Sequence, residues 1–193
     1  MLTCISLNRI HYQNFNIKNF KNSNINKYMS TEFIKIFGGA FHCKLPPNFF
    51  DTSRVREIPD NQEVFTHPSF NQSIIIEIME AIESNDSEIA IREHFQEIMS
   101  LNEARESSIL QIIPLESNDP NIKKISLRGF FMDIKDNLKI DFFLILYRFQ
   151  SYAADVLFLC NSENTPKETK WSEDEVVQSL DSLRLLDPSI FVS

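Results

Sequence analysis

The chain has 193 residues, of which 42% are hydrophobic and 24% charged, and this composition fits one globular domain of ordinary size. Its three Gly and three widely spaced Cys exclude a phosphate-binding glycine loop, a C-x-x-C zinc or redox motif and a disulfide framework. The net charge of −8 disfavours binding to nucleic acid or to anionic lipid and favours a partner with a basic face. The longest apolar run, Phe142 to Tyr147, is far shorter than the ~20 residues that a membrane helix needs.

The first 28 residues differ in composition from the rest of the chain. They contain no Asp or Glu, four basic residues and seven Asn, so the remaining 165 residues carry a net charge of −12. A polar, Asn-rich segment buries too little apolar surface to offset its ordering entropy. We therefore predict a disordered tail over 1–28 and a single folded domain over 29–193. A transit peptide is an alternative for the tail, although its single Arg and few Ser argue against this.

The first part of the folded domain is predicted to consist of strands. Gly38 and Gly39 interrupt the first apolar stretch, and Pro46 with Pro47 ends the second. In the last stretch, which is rich in Ile, Glu77 and Glu80 are expected to point outward. The four predicted strands are Phe33 to Phe37, Ala40 to Leu45, Gln62 to Thr66 and Ile74 to Ala81.

Two helices are predicted from different signals. Ile91, Phe95, Ile98 and Met99 recur at helical spacing, which indicates a helix that begins after a cap at Asn85 or Asp86 and ends near Leu101. Near the C-terminus, Ser172 and Glu175 have the spacing of a capping box, and an apolar stripe follows them. The residues of that stripe are Val176, Val177, Leu180 and Leu183.

Between the helices, apolar stretches alternate with turn-forming residues. They predict strands at Ser108 to Leu115, Lys124 to Lys135, Leu138 to Phe149 and Ala154 to Asn161, with a tight hairpin at 135–138 and a polar loop over 162–170. Hairpin-linked strands with helices between and after them favour an α+β fold, in which helices cover a largely antiparallel sheet.

The residues that usually carry catalysis are not arranged for it. None of His11, His42, His67 and His94 has the spacing of a metal-binding pair. Cys43 follows His42, but adjacent residues of a strand point to opposite faces, so a Cys-His nucleophile is not expected. The acidic run 173–175 suits a helix N-terminus and needs no metal. We expect no catalytic residue, metal or cofactor.

The segment from Leu45 to Phe65 is dense in proline and charge. Because each Pro restricts φ, the segment is stiff and would lose little entropy when a partner immobilises it. Asp60 and Glu63 would be presented there as an acidic pair. The structural alternative is that Asp60 caps a turn and Glu63 is a solvated strand residue.

Several motifs resemble the Ran guanine nucleotide release factor family. They are Phe37-Gly-Gly-Ala-Phe41, Leu45-Pro-Pro47, Asp51, Arg56-Glu-Ile-Pro-Asp-Asn-Gln-Glu-Val-Phe65, His94-Phe95, Leu127-Arg-Gly129, Tyr152 and Asp155-Val-Leu157. The resemblance extends from about Phe33 to Phe191 and leaves out the first 28 residues. Asn48 stands where the family commonly has Gly, but Asn also adopts left-handed φ.

The resemblance implies an αβα sandwich with a central sheet of about six strands, similar to the extrinsic oxygen-evolving subunit of photosystem II. It also implies a non-enzymatic, monomeric protein of the nucleus and cytoplasm that binds the Ran GTPase, promotes loss of its nucleotide and regulates nucleocytoplasmic protein transport. The Ran-binding residues that it implies are Asp60 and Glu63, with Arg56, Asn61 and Gln62 as neighbours. An alternative function is a carrier or assembly module of the photosystem-extrinsic type, which shares the sandwich.

Overall fold

A computed structural model describes residues 32–133, 137–163 and 171–192. Its elements in chain order are β1 (Ile34–Ile36), β2 (Phe41–Cys43), β3 (Phe50–Asp51), β4 (Gln62–Thr66), β5 (Gln72–Glu80), α1 (Ser87–Leu101), β6 (Glu106–Leu115), β7 (Ile122–Met132), β8 (Lys139–Phe149), β9 (Ala154–Glu163), α2 (Glu173–Leu180) and β10 (Arg184–Leu185). The predicted tail over 1–28, the tip of the predicted hairpin and most of the predicted polar loop lie outside the described residues.

Within the described residues, the main sheet has seven strands in the order β3-β4-β5-β9-β8-β7-β6, and every neighbouring pair is antiparallel. Six of these strands have five or more residues, and the seventh, β3, has two. A second sheet, β1-β2-β10, has three short strands. The prediction of an α+β sandwich is confirmed, and the small sheet is an addition to it.

Each face of the main sheet has its own core. Helix α1 covers one face through Ile91, Phe95 and Ile98, which pack against residues such as Leu127, Leu144 and Leu157. The other face packs against α2 and the small sheet, where Phe41, Trp171 and Leu180 meet Tyr147 and Phe158. Alternation along the strands sends successive side chains to the two layers. Hydrophobic burial on both faces therefore explains why the central strands are apolar almost throughout.

The helix signals of the sequence correspond to the structure with one correction. The Asp86 carboxylate accepts a hydrogen bond from the Glu88 N–H and so caps α1, and Ser172 with Glu175 forms the predicted capping box of α2. The predicted stripe of α2 is partly wrong. Val177 is exposed, and Leu183, although buried, lies beyond the end of the helix at Leu180. Leu183 is buried because it packs into the core on this face of the sheet, and not because the helix continues to it.

A buried polar cluster joins α1 to the sheet. His94 Nε2 lies 2.9 Å from Asp155 Oδ2, and Arg148 Nε donates to Asp155 Oδ1 at 3.0 Å. Arg148 also donates to the carbonyl oxygens of Ile82 and Ser84, which lead into α1. This cluster gives His94 a structural role, because it ties α1 and the connection that leads into it to β8 and β9.

No helix in the described part of the chain combines the length and the apolar character that a membrane crossing requires.

Candidate functional site

The proline-rich segment before β4 is held to the body of the protein by hydrogen bonds at its start. The indole N–H of Trp171 donates to the Pro47 carbonyl oxygen at 2.7 Å, and the Gln72 side chain in turn binds the Trp171 backbone. Asn48 has a φ of 60°, so it occupies the left-handed conformation that Gly, and Asn among the other residues, adopts most readily. The stiffness predicted from the Pro residues is thus reinforced by tertiary contacts.

A short helical turn follows over Thr52–Arg54. The Asp51 carboxylate caps it by accepting a hydrogen bond from the Ser53 N–H at 3.0 Å. The next residues, Val55, Arg56 and Glu57, are exposed to solvent. A backbone bond from Gln62 N–H to the Pro59 carbonyl then closes the turn that presents Asp60.

Asp60 is the exposed carboxylate of the predicted site. It lies at the surface, and within the described ranges no hydrogen bond or ion pair engages its side chain. Arg56 is likewise exposed on the same segment. The Gln62 N–H to Pro59 carbonyl bond closes the turn, and within the described residues the Asp60 side chain makes no hydrogen bond to it, so the alternative in which that side chain caps the turn is wrong. Both residues are available to a partner at no cost of breaking an internal contact.

Asn61 and Gln62 are directed inward. The Asn61 amide donates to Glu77 Oε1 at 3.3 Å and to the Ile78 carbonyl at 3.1 Å, and the Gln62 side chain also hydrogen-bonds Glu77. These two predicted site residues therefore support the Asp60 turn from beneath.

The prediction that Glu77 points outward is wrong. Its side chain is buried on the α1 side of the sheet, where burial raises its pKa to about 7 against the hydrogen bonds from Gln62 and Asn61. The Ile-rich run suggested a strand with one solvent face, but both faces of β5 are covered. A Glu inside an otherwise apolar run was the signal that could have identified this buried carboxyl.

Glu63 is half-buried and binds a backbone group. Its Oε1 accepts a hydrogen bond from the Phe37 N–H at 2.6 Å, across 26 residues of sequence. The pKa of Glu63 is raised overall. Burial is the main cause and nearby Asp51 adds to it, whereas the hydrogen bond from Phe37 acts in the opposite direction. The alternative in which Glu63 is a solvated strand residue is therefore wrong. The prediction that Asp60 and Glu63 are presented together as an exposed acidic pair is also wrong, because only Asp60 is exposed.

The turn bound by Glu63 connects β1 to β2. Phe37, Gly38 and Gly39 have φ values of 50°, 64° and 99°. The predicted strand from Phe33 accordingly ends at Ile36, and the strand predicted from Ala40 is only Phe41–Cys43. Consecutive left-handed residues cannot continue a strand, which explains both differences.

The sulfur chemistry considered from the sequence is disfavoured by the local geometry. Cys43 is buried, and its pKa is raised to about 12 by burial and by the nearby Glu63 charge. His42 points to the other face, where its ring stacks on Phe33 at 4.2 Å. A thiolate and an adjacent imidazole base are thus kept apart.

Comparison with known proteins places this chain among named relatives. A family model described as "Ran-interacting Mog1 protein" matches residues 34–163. The chain is 31% identical over 182 residues to the Ran guanine nucleotide release factor of Bos taurus, an alignment that covers 81% of this chain and 94% of the relative. It is 39% identical over 87 residues to the nuclear import protein mog1 of Schizosaccharomyces pombe, which covers 45% of this chain and 46% of that protein.

Solved structures resemble the fold. The Ran-binding protein Mog1p of Saccharomyces cerevisiae matches with a TM-score of 0.69 and 21% identity over 85% of this chain and 100% of that one. The cyanobacterial PsbP of Synechocystis matches with a TM-score of 0.54 and 8% identity over 88% and 99%. The second match confirms the predicted likeness to a photosystem-extrinsic subunit at the level of fold. On the extent of the family match, this chain belongs to the Ran-interacting Mog1 protein family.

Proposed function

We propose that this protein binds the Ran GTPase and promotes release of its bound guanine nucleotide, and thereby regulates nucleocytoplasmic protein transport. The observation that carries the proposal is family membership across most of the folded chain, together with relatives named for Ran nucleotide release and nuclear import. The protein would act in the nucleus and also in the cytoplasm. It would work as a monomer without cofactor or metal.

The proposed contact surface is the segment around Asp60. Asp60 and Arg56 would meet Ran directly, because both side chains are exposed and the segment is held by Trp171 at its start. Asn61 and Gln62 would act from below by fixing the Asp60 turn through Glu77. Pre-organisation of this kind reduces the entropy lost on association.

Nucleotide release then follows from linkage and requires no reacting group. A protein that binds nucleotide-free Ran more tightly than loaded Ran must weaken nucleotide binding by the same factor. Each ~1.4 kcal/mol of such coupling changes the nucleotide affinity tenfold. The protein is therefore proposed to act by binding alone, as a non-enzyme, and the inaccessible Cys43 thiol is consistent with that role.

Release of a fluorescent guanine nucleotide from Ran tests the proposal. We expect the wild-type protein to accelerate release and Asp60→Lys to reduce the acceleration at least about tenfold, since reversal of an exposed charge weakens a charge-complementary contact. Added salt should reduce the wild-type effect, because exposed charges are screened.

Glu116→Lys is the matched control. Glu116 is exposed and follows β6, the strand at the edge of the main sheet opposite β3 and β4. The Glu116→Lys variant carries the same charge change away from the proposed surface, so it should accelerate nucleotide release from Ran as the wild type does. Absence of acceleration by the wild-type protein would reject the proposal and favour a carrier or assembly module that shares only the fold.

A further inference from the structure

The Phe37–Gly39 turn exposes backbone beside the proposed Ran-binding segment. Gly38 is exposed, and a Cβ built on it would meet no atom within 4 Å. A partner can therefore approach the main chain closely at this point. Phe37 is the costly member of the turn, because a left-handed φ is rare for a bulky aromatic residue and persists only where the surroundings enforce it.

Two contacts enforce this conformation of Phe37. Its ring packs edge-on against Phe41 at 5.8 Å between centroids, on the core of the small-sheet side. Its backbone N–H donates to Glu63 Oε1 at 2.6 Å, which ties the small sheet to β4 of the main sheet. A bond between a carboxylate and an N–H in a half-buried position is stronger than a neutral one.

The position of Glu63 brings this turn close to the Asp60 loop. Glu63 is three residues from Asp60, so their Cα atoms are at most about 11 Å apart. β3 pairs only with Phe65 and Thr66, which leaves the first residues of β4 at the edge of the sheet in the described chain. The turn, Glu63 and the Asp60 loop thus occupy one edge of the molecule.

Asp60 and Glu63, the two acidic residues at this edge, differ in whether their carboxylates already have a partner within the protein. Asp60 has no internal partner within the described residues, whereas one Glu63 oxygen already accepts a backbone hydrogen bond. A direct contact with Ran through that oxygen would have to compete with the Phe37 N–H. Exposed carboxylates attract a basic partner, and anchored ones hold structure.

We infer that Glu63 is a positioning residue, which holds the Phe37–Gly39 turn beside the Asp60 loop so that turn and loop together form the surface that Ran contacts. This inference rests on the proposed function. It assigns the exposed Gly38 backbone to the interface and removes the Glu63 charge from it. The partner that fits is a protein surface with a basic group for Asp60 and a close-packed region opposite Gly38.

Two substitutions at Glu63 separate anchoring from direct charge pairing. Glu63→Gln keeps an oxygen that can accept from Phe37 N–H but loses the charge, and Glu63→Ala loses both. We expect Glu63→Gln to bind Ran within about threefold of wild type with the same salt dependence, and Glu63→Ala to bind about tenfold more weakly, the value of one such hydrogen bond. Equal loss in both variants, or no loss in Glu63→Ala, would overturn the inference.

Hydrogen exchange at the Phe37 amide measures the anchor without Ran. Protection of that amide should persist in Glu63→Gln and fall in Glu63→Ala, while thermal unfolding reports whether either variant folds. Unchanged protection in a folded Glu63→Ala would refute the anchoring role. If the wild type fails to bind Ran while the exchange pattern appears as expected, the proposed function has failed and the anchor has not.

Gly38→Asn tests whether the turn belongs to the interface. Asn tolerates the left-handed conformation, and the space around Gly38 is open, so the free protein should fold normally. The added side chain would separate Ran from the main chain, and we expect binding to weaken about tenfold, as for about 1.4 kcal/mol lost. Wild-type affinity in a folded Gly38→Asn would exclude the turn from the contact surface.

Discussion

Single buried charges in this protein are held by partners that come from distant parts of the chain. Asp155 is fully buried; its Oδ1 accepts a hydrogen bond from Arg148, and its Oδ2 accepts one from the Ile82 N–H and lies within hydrogen-bond distance of His94 Nε2. Glu77 lies on the same face of the sheet, and its carboxyl group accepts hydrogen bonds from the side chains of Asn61 and Gln62. A buried charge without such partners would be strongly unfavourable, so each partner set contributes to specifying the fold.

Removal of the Asp155 charge tests the first of these sets. In Asp155→Asn the buried Arg148 guanidinium, 4% exposed, loses its counter-charge, and we expect a loss of about 3 to 5 kcal/mol in the free energy of unfolding. Chemical denaturation measures this. Asp141→Asn is the control, because its ion pair with Lys139 is exposed and should contribute less than about 1 kcal/mol. Similar losses in the two variants would contradict the prediction.

The raised pKa of Glu77 predicts that the stability of the folded protein depends on pH. Its pKa is raised from 4.5 to about 7 in the folded state, so between these values the folded protein binds more protons than the unfolded chain. Stability from this group is complete below pH 4.5 and is lost as the pH rises through about 7. The loss is at most about 3.5 kcal/mol, at about 1.4 kcal/mol per pKa unit.

Glu77→Gln removes that titration. The free energy of unfolding of the variant relative to wild type should therefore rise between about pH 5 and about pH 8, as measured by denaturation at several pH values in that range. Glu80→Gln, at an exposed position of the same strand, should show no such trend. A constant difference between Glu77→Gln and wild type would show that Glu77 does not titrate in this range.

At the scale of elements, the β6–β7 pair shows how backbone geometry constrains one residue. The register of this pair shifts between Ile109 and Gln111, and Gly129 lies opposite Ile109. A Cβ on Gly129 would lie 2.5 Å from the Ser108 carbonyl oxygen. The Gly is required there because the two backbones approach too closely for any side chain.

Gly129→Ala is accordingly expected to lower the free energy of unfolding by about 1 to 3 kcal/mol, the usual cost of overpacking. The atom in the way belongs to the backbone, so a rotamer change cannot relieve the clash. Thermal or chemical unfolding of the variant checks this. A midpoint equal to that of the wild type would show that β6 shifts at little cost.

At the scale of the whole molecule, the described residues supply a core on each face of the main sheet. Among those described residues, the N-terminal-most buried member of either core is Ile36. The segment 1–28 contributes four positive charges and no negative ones, so the chain without it changes in net charge from −8 to −12. Its predicted disorder stays a prediction.

Deletion of residues 1–28 is therefore expected to leave the melting temperature within about 2 °C of the full chain, less than the shift caused by 1 kcal/mol in a domain of this size. Circular dichroism during heating measures it. A lower midpoint by more than that would show that the segment packs on the folded domain.

The sequence alone determined the helices, most long strands and the fold class, because those depend on local signals. Capping residues, turn residues and apolar periodicity act within a few positions, as at Asp86 and Ser172. The family resemblance also pointed to the segment that contains Asp60 as the expected Ran-binding segment, which stays a prediction. These inferences required no knowledge of which segments meet in space.

Only the tertiary structure decided the surroundings of Asp60, Glu63 and the nearby Glu77. Glu63 meets the Phe37 amide across 26 residues, and Glu77 is buried because α1 covers a face of β5 that its own sequence pattern left open to solvent. Burial and long-range hydrogen bonds depend on what packs against a residue. The division between an exposed Asp60 and an anchoring Glu63 therefore arose from packing, which neighbouring residues in the sequence do not encode.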